Sequence, residues 1–168
     1  MLEFINAKTH TDIETVSALA IEIMQEHYDP IVGKEINAHM LAKYQSVEGI
    51  CEEIKDGAEY FFVRADGANV GFLAIAPKDG FMYLSKFYLA KKYRGNGYSR
   101  DMMTFVKARA EKCGLNKITL NVNADNGNTV SVYRRFGFEI VEEIYRDVGG
   151  GYCVHDYVMQ CYLKNSQE

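Results

Sequence analysis

Residues 82–103 read MYLSKFYLAKKYRGNGYSRDMM. The first part, Met82 to Leu89, is rich in aromatics and reads as a strand. Arg94-Gly95-Asn96-Gly97-Tyr98-Ser99 stops that strand, and a helix begins with Met102, Phe105, Val106 and Arg109 on one side. Gly114 lies just past its end, where a C-cap glycine belongs. A strand that turns through glycines into a helix leaves the first N–H groups of that helix without intrahelical partners. Glycines let an anion come close to such backbone, and the helix dipole adds partial positive charge. Arg94 and Arg100 add full charge, so the loop suits a pyrophosphate. The same residues also read as a tight strand–helix turn with no ligand. Two common phosphate loops do not fit. The P-loop pattern G-x-x-x-x-G-K-S/T is absent. The dinucleotide fingerprint needs a third glycine where Arg100 stands and an acid about 20 residues on, where the next strand offers Asn121 and Asn123.

Upstream, Asp79-Gly80 and Asp66-Gly67 punctuate two more strands, Val70 to Ala76 and Glu59 to Arg64, and the three form an antiparallel meander. Before it, Leu2 to Ala7 alternates as a first strand. Thr11 with Glu14 reads as a capping box for a helix that buries Ile13, Val16, Ala20, Ile23 and His27 and that Pro30 stops. Ile36 to Tyr44 and Val47 to Lys55 read as two shorter helices, the second capped by Ser46. Downstream come a strand from Lys117 to Val122, a short helix to Phe136, and strands Phe138 to Arg146 and Tyr152 to Leu163 around Gly149-Gly150-Gly151. The order predicts an α+β fold, a mixed, mostly antiparallel twisted sheet of about seven strands flanked by helices, with only helix-joined strands parallel. With no internal repeat or linker in 168 residues, one domain over 1–168 is expected.

Charge is unevenly spread. Residues 86–112 hold eight bases and two acids, a net +6 in a chain of net −4, so the remainder is −10. The basic segment fits an anion as well as a solvated helix face. The acidic total argues against bulk nucleic-acid binding. Apolar runs such as Phe72 to Ala76 are far short of the ~20 residues of a membrane helix, and no secretory signal is visible. Cys51, Cys113, Cys153 and Cys161 lie far apart with no C-x-x-C pair. They read as reduced thiols in a cytoplasmic protein, with neither a metal site nor a disulfide framework.

Two further patterns carry a family resemblance. Arg94-x-x-Gly97-x-Ser99 is similar to the loop Q/R-x-x-G-x-G/A, with Ser99 small but not apolar. Asn126, then Tyr133 seven residues on, then Gly137-Phe138 within NGNTVSVYRRFGF, follow in order. With this element order the chain resembles the GCN5-related N-acetyltransferases, in particular a bacterial subgroup. The resemblance implies an acetyl-CoA-dependent enzyme that moves an acetyl group to a primary amine by direct attack. The alternative on the same fold is a CoA-binding sensor or scaffold, kept open because Met82 to Leu89 lacks the glutamate of many relatives. Competition from a nucleotide-phosphate binder using the same loop remains a third reading.

The resemblance also implies site residues. Arg94, Gly95, Asn96, Gly97, Tyr98, Ser99 and Arg100 hold the CoA pyrophosphate, and the backbone of Phe87 and Leu89 pairs with the pantetheine amides. Asn126 caps the short helix, contacts the cofactor, or does both. Tyr133 is either a packing aromatic or the acid that protonates the departing thiolate. The N-terminal third, EHYDPIVGKEINAHMLAKYQS, covers the acceptor side. The acceptor, a small molecule or a peptide amine, needs a base, and Glu26, His27 and Tyr28 are candidates, although consecutive helical positions do not share one face. Tyr83 and Ser85, alternating on the cofactor strand, are the other candidates. His155 and Asp156 alternate on the last strand and are no ready pair, and nothing in the sequence activates Cys153 as a nucleophile. Relatives of this kind are often dimers, so a homodimer is an expectation.

Overall fold

The computed structural model describes residues 1–164; the last four residues of the expected 1–168 domain lie outside the described residues. Strand β1 (Leu2–Asn6) is followed by α1 (His10–Val32), α2 (Lys34–Tyr44) and α3 (Val47–Lys55). The meander β2 (Glu59–Ala65), β3 (Ala68–Lys78) and β4 (Phe81–Leu89) comes next. A 3₁₀ turn (Lys91–Tyr93) then leads into α4 (Tyr98–Lys112), β5 (Lys117–Asn123), α5 (Gly127–Arg135), β6 (Glu139–Gly149) and β7 (Tyr152–Tyr162). The described strands form one seven-stranded sheet in the order β1-β2-β3-β4-β5-β7-β6. The chain forms two compact units, Met1–Ile75 with Lys86–Asp101, and Ala76–Ser85 with the described residues from 102 to 164.

In the first unit the two-residue Asp66-Gly67 turn pairs Ala65 with Ala68, and the predicted hairpin forms. β1 and β2 are antiparallel, Leu2 facing Ala65 and Asn6 facing Phe61, although three helices join them. The helices return the chain to the end of β1 that it left, and the Ala7 N–H donates to the Tyr60 carbonyl at 2.8 Å. Helix-joined strands are therefore not always parallel here. The core of this unit seats Val16, Ala20 and Ile23 of α1 and Ile50 of α3 on Tyr60 and Phe72 of the sheet.

Helix α1 differs from expectation at both ends. Its cap is Thr9, whose side chain accepts from the Asp12 N–H at 3.1 Å, while the Asp12 carboxylate accepts from the Thr9 N–H at 3.2 Å. Thr11 is the second residue of the helix, and Glu14 pairs instead with exposed His10 at 3.0 Å. Both threonines precede an acid three residues on, and the entry of the chain from β1 selects the earlier one. Pro30 does not stop the helix, which runs on to Val32. In the last turn a proline removes only one backbone bond, the one to the Glu26 carbonyl. The stop comes at Gly33, whose N–H donates to the Asp29 carbonyl at 3.1 Å. The predicted Ser46 cap of α3 forms, accepting from the Gly49 N–H at 3.1 Å.

Tyr60 is fully buried, and its hydroxyl donates to Glu53 at 2.5 Å. Burial, reinforced by the Glu53 charge, pushes the phenol far above the usual tyrosine range. A raised folded-state value contributes stability that is complete below the unfolded tyrosine value, about 10, and is lost as pH rises beyond it. Thermal melts should therefore fall more steeply above about pH 10 in the wild type than in Tyr60→Phe, while at neutral pH the variant should lose on the order of 1 kcal/mol with the hydrogen bond.

In the second unit β4 runs parallel to β5, with Met82 beside Ile118 and Tyr83 beside Thr119. β5 pairs antiparallel with β7, and β7 with β6. Met102, Met103 and Val106 of α4 are buried, as core residues should be, with Phe105 half-buried. His155 and Asp156 point to opposite faces, each toward β6. Asp156 pairs with Arg146 at 3.0 Å, and His155 lies 2.6 Å from Glu143 and stacks on Tyr145.

Candidate active site

The first unit carries the glycine loop. Gly95 and Gly97 have φ of +85° and +78°, a region that L side chains avoid. A Cβ at either would meet nothing within 4 Å, so open space lies over the loop. Helix α4 starts at Tyr98, its first backbone bond running from the Asp101 N–H to the Gly97 carbonyl at 3.4 Å. Its first-turn N–H groups thus face the end of a fifteen-residue helix, the polarity that favours an anion. Arg94, Asn96 and Arg100 are exposed, and Tyr98 and Ser99 are half-buried. The Arg94 guanidinium folds back onto the Leu89 carbonyl, with Nε at 3.3 Å and Nη2 at 3.2 Å, and Asn96 closes the loop onto the Tyr93 carbonyl at 3.1 Å. Arg94 therefore ties the loop to the end of β4.

On β4 the side chains of Met82 and Leu84 are buried, while Tyr83 and Ser85 fall on the other face, half-buried. Beyond them, in the first unit, the Ala90 N–H donates to the Val70 carbonyl of β3 at 2.9 Å. A Cβ on Gly71 of β3 would stand 2.3 Å from the Tyr88 carbonyl. Tyr88 and Ala90 thus turn their backbone toward β3, and Phe87 and Leu89, out of phase by one, turn theirs to the opposite edge. The Leu89 carbonyl is the one that Arg94 engages.

Of the three consecutive acceptor-side candidates, Glu26 is exposed, and His27 and Tyr28 are half-buried. The His27 ring meets Tyr28 edge-on at 4.7 Å. The Tyr28 and Tyr88 hydroxyls share a hydrogen bond of 3.2 Å, and Tyr88 stacks on Phe72 at 5.4 Å. The sequence reading missed Tyr88 and Gly71. Tyr88 was available by alternation from Phe87 and Leu89, and a glycine inside a strand signals close backbone approach. A cavity of about 310 Å³ opens between α1 and α2, lined by Gln25, Asp29, Lys34, Ala38 and Leu41. Asn37, 2% exposed, holds the Asp29 carboxylate there at 2.7 Å and also donates to the Met24 carbonyl at 3.0 Å.

The second unit carries Asn126 and Tyr133. Asn126 is 3% exposed at the N-cap position of α5, yet its side chain makes no cap hydrogen bond. The capping role read from sequence is thus not the one it has; its backbone N–H donates to the Asn123 carbonyl at 3.0 Å. Tyr133, two turns on, is 7% exposed, with its ring edge-on to Phe138 at 5.6 Å. Its carbonyl accepts from the N–H groups of Phe136 and Phe138, both at 3.0 Å. The Phe136 carbonyl in turn accepts from Lys107 of α4 at 3.2 Å, so the end of α5 that bears Tyr133 is pinned from two sides. Burial pushes the Cys161 thiol up, which keeps it unreactive, and Cys153 is exposed. Among the described residues no group of three or more His, Cys, Asp or Glu side chains is arranged to hold a metal ion, and no helix is long and apolar enough to cross a membrane.

A seven-stranded, mostly antiparallel sheet with helices between β1 and β2, β4 and β5, and β5 and β6 is the fold of known acetyltransferases. The family model of the acetyltransferase (GNAT) domain matches residues 19–160. An uncharacterised N-acetyltransferase of Mycobacterium tuberculosis is 30% identical over 132 residues, covering 77% of this chain and 85% of that one. The spermine/spermidine N(1)-acetyltransferase of Bacillus subtilis is 28% identical over 125 residues, covering 68% and 82%. The fold matches the PaiA N-acetyltransferase of Thermoplasma acidophilum, solved with coenzyme A, at a TM-score of 0.78 and 20% identity over 96% of this chain and 99% of that one. The chain belongs to the GNAT family of acetyltransferases. It is an N-acetyltransferase with acetyl-CoA as co-substrate.

Proposed function

We propose that Tyr133 is the general acid of amine acetylation and that residues 94–100 hold the pyrophosphate of acetyl-CoA. The observation that carries this reading is the open space over Gly95 and Gly97 at the N-terminus of α4. Acetyl-CoA supplies the thioester that the amine attacks directly. Backbone N–H groups of the loop, with Arg100, bind the phosphates; Phe87 and Leu89 hold the pantetheine arm by their outer backbone edge; Asn126 orients the cofactor. The Tyr133 hydroxyl donates its proton to the departing sulfur, which a phenol held on a pinned helix end can do without reorganising. Residues 1–168 act as one cytoplasmic domain, and the resemblance points to a homodimer.

The acceptor is a polyamine in this reading. Its support is the spermine/spermidine acetylation for which the Bacillus subtilis relative is named and the −10 carried outside residues 86–112, which favours a cation. The end of α1 has no basic residue in its last turn, and Asp29 is held in the α1–α2 cavity by Asn37. Lys34 also lines that cavity. Glu26 and His27, with Tyr28, Tyr83 and Ser85 as the alternatives, are the candidates to receive the amine proton. A panel of spermidine, spermine, free amino acids and an alanine-ended peptide, followed by CoA thiol release, tests the reading. Spermidine or spermine should turn over best, and Asp29→Asn should raise their KM about tenfold while the KM for acetyl-CoA stays constant. Preference for the peptide or the amino acids would discard the polyamine reading, and CoA binding without turnover of any amine would favour the sensor.

A further inference from the structure

We propose that Gly71 and the Tyr28–Tyr88 hydroxyl pair are positioning residues that set the backbone edge of β4 on which the pantetheine arm is held. This rests on the assignment of Phe87 and Leu89 to that arm. The geometry lies within the first unit. A Cβ at Gly71 would come within 2.3 Å of the Tyr88 carbonyl, 3.1 Å of Leu89 Cδ2 and 3.3 Å of Leu89 Cα. Side-chain carbons do not approach a backbone oxygen below 3.0 Å, so any residue but glycine must push β4 away from β3 at Tyr88 and Leu89. Backbone is not the flexible tip of a side chain, and a shift there carries the amides of Phe87 and Leu89 with it. Leu89 is also the anchor of Arg94, so the same displacement loosens the Arg94 tether between the loop and β4.

The second restraint comes from the other side of the strand. Tyr88 stacks on Phe72 of β3 at 5.4 Å, with 29° between the rings, and its hydroxyl meets that of Tyr28 on α1 at 3.2 Å. Phe72 is the residue next to Gly71, so the ring of Tyr88 and its carbonyl are both located by the same dipeptide of β3. The hydrogen bond then fixes the ring against α1, whose end belongs to the acceptor side. Tyr28 therefore acts through Tyr88, and the pair connects the acceptor helix to the cofactor strand. A displacement of a few tenths of an ångström at this edge misaligns two amide hydrogen bonds to the cofactor at once, which is why a buried, non-contacting glycine matters to binding.

The test separates the pantetheine arm from the nucleotide. CoA and adenosine 3′-phosphate 5′-diphosphate, the nucleotide that keeps the pyrophosphate and lacks the arm, are titrated by calorimetry into the wild type, Gly71→Ala, Tyr28→Phe and Tyr88→Phe. Gly71→Ala should weaken CoA at least about tenfold and leave the nucleotide within about twofold of wild type. Tyr28→Phe and Tyr88→Phe, which keep both rings, should each weaken CoA about threefold to fivefold, with less than additive loss in the double variant, since all three remove the hydrogen bond between the two hydroxyls. A purely structural role would lower the melting temperature without separating the two ligands. Equal CoA affinity in folded Gly71→Ala, or equal losses for both ligands, overturns the proposal. If Gly71→Ala does not fold, the two phenylalanine variants decide it by the same split. Failure of the underlying assignment is distinguishable, because then the wild type itself would bind CoA no more tightly than adenosine 3′-phosphate 5′-diphosphate.

Discussion

Gly97→Glu is expected to fold and to lose CoA binding by at least about a hundredfold, roughly 2.7 kcal/mol. The effect does not come from a clash within the protein, because a Cβ at Gly97 meets nothing within 4 Å. Its backbone cost is that of a side chain at φ +78°, about 1–2 kcal/mol, which lowers the melting temperature by several degrees without unfolding the chain. The larger loss is electrostatic and steric together. A carboxylate placed at the N-terminus of α4 takes the position and the polarity that the phosphates need. Gly97→Asn is the control: asparagine tolerates positive φ and carries no charge, so it should keep most of the affinity. A folded Gly97→Glu protein that binds CoA as the wild type does would remove the loop from the site.

Tyr133→Phe carries the second large effect. The ring packs edge-on against Phe138 and is 7% exposed, so removing only the hydroxyl leaves that packing in place. A positioned acid typically contributes 10²–10⁴-fold, and kcat should fall by at least about tenfold with acetyl-CoA affinity nearly kept. If the rate of a later step limits the wild type, single-turnover measurements recover the full difference. Wild-type kcat in Tyr133→Phe would make this tyrosine a packing residue.

Local signals carried much of this fold. Asp66-Gly67 marked a two-residue turn because only certain residues enter that geometry, and the turn is there between Ala65 and Ala68. The glycine loop and the start of α4 were legible for the same reason, and the spacing of Met102 and Val106 located the buried face of that helix. What was not legible depends on contacts between elements distant in sequence. Thr9 and Thr11 present equivalent local patterns, and the path of the chain out of β1 chose between them. Pro30 signals a stop because the residue before a proline avoids helical angles, whereas the end of α1 loses one backbone bond and continues to Val32. Arg94 matched a phosphate motif by position, yet its guanidinium faces a carbonyl of the strand before it. Tyr88 and Gly71 acquire their meaning only when β3, β4 and α1 are assembled, so no window of sequence around either residue contains its partners.

The most direct test of the catalytic account is the initial rate of CoA thiol release, measured while acetyl-CoA and spermidine are both varied, for the wild type and Tyr133→Phe. Direct attack predicts release only when the amine is present, intersecting double-reciprocal lines, and a reduced kcat in the variant at unchanged acetyl-CoA affinity. Parallel lines with an acetylated enzyme, or CoA binding with no amine-dependent release, would contradict it.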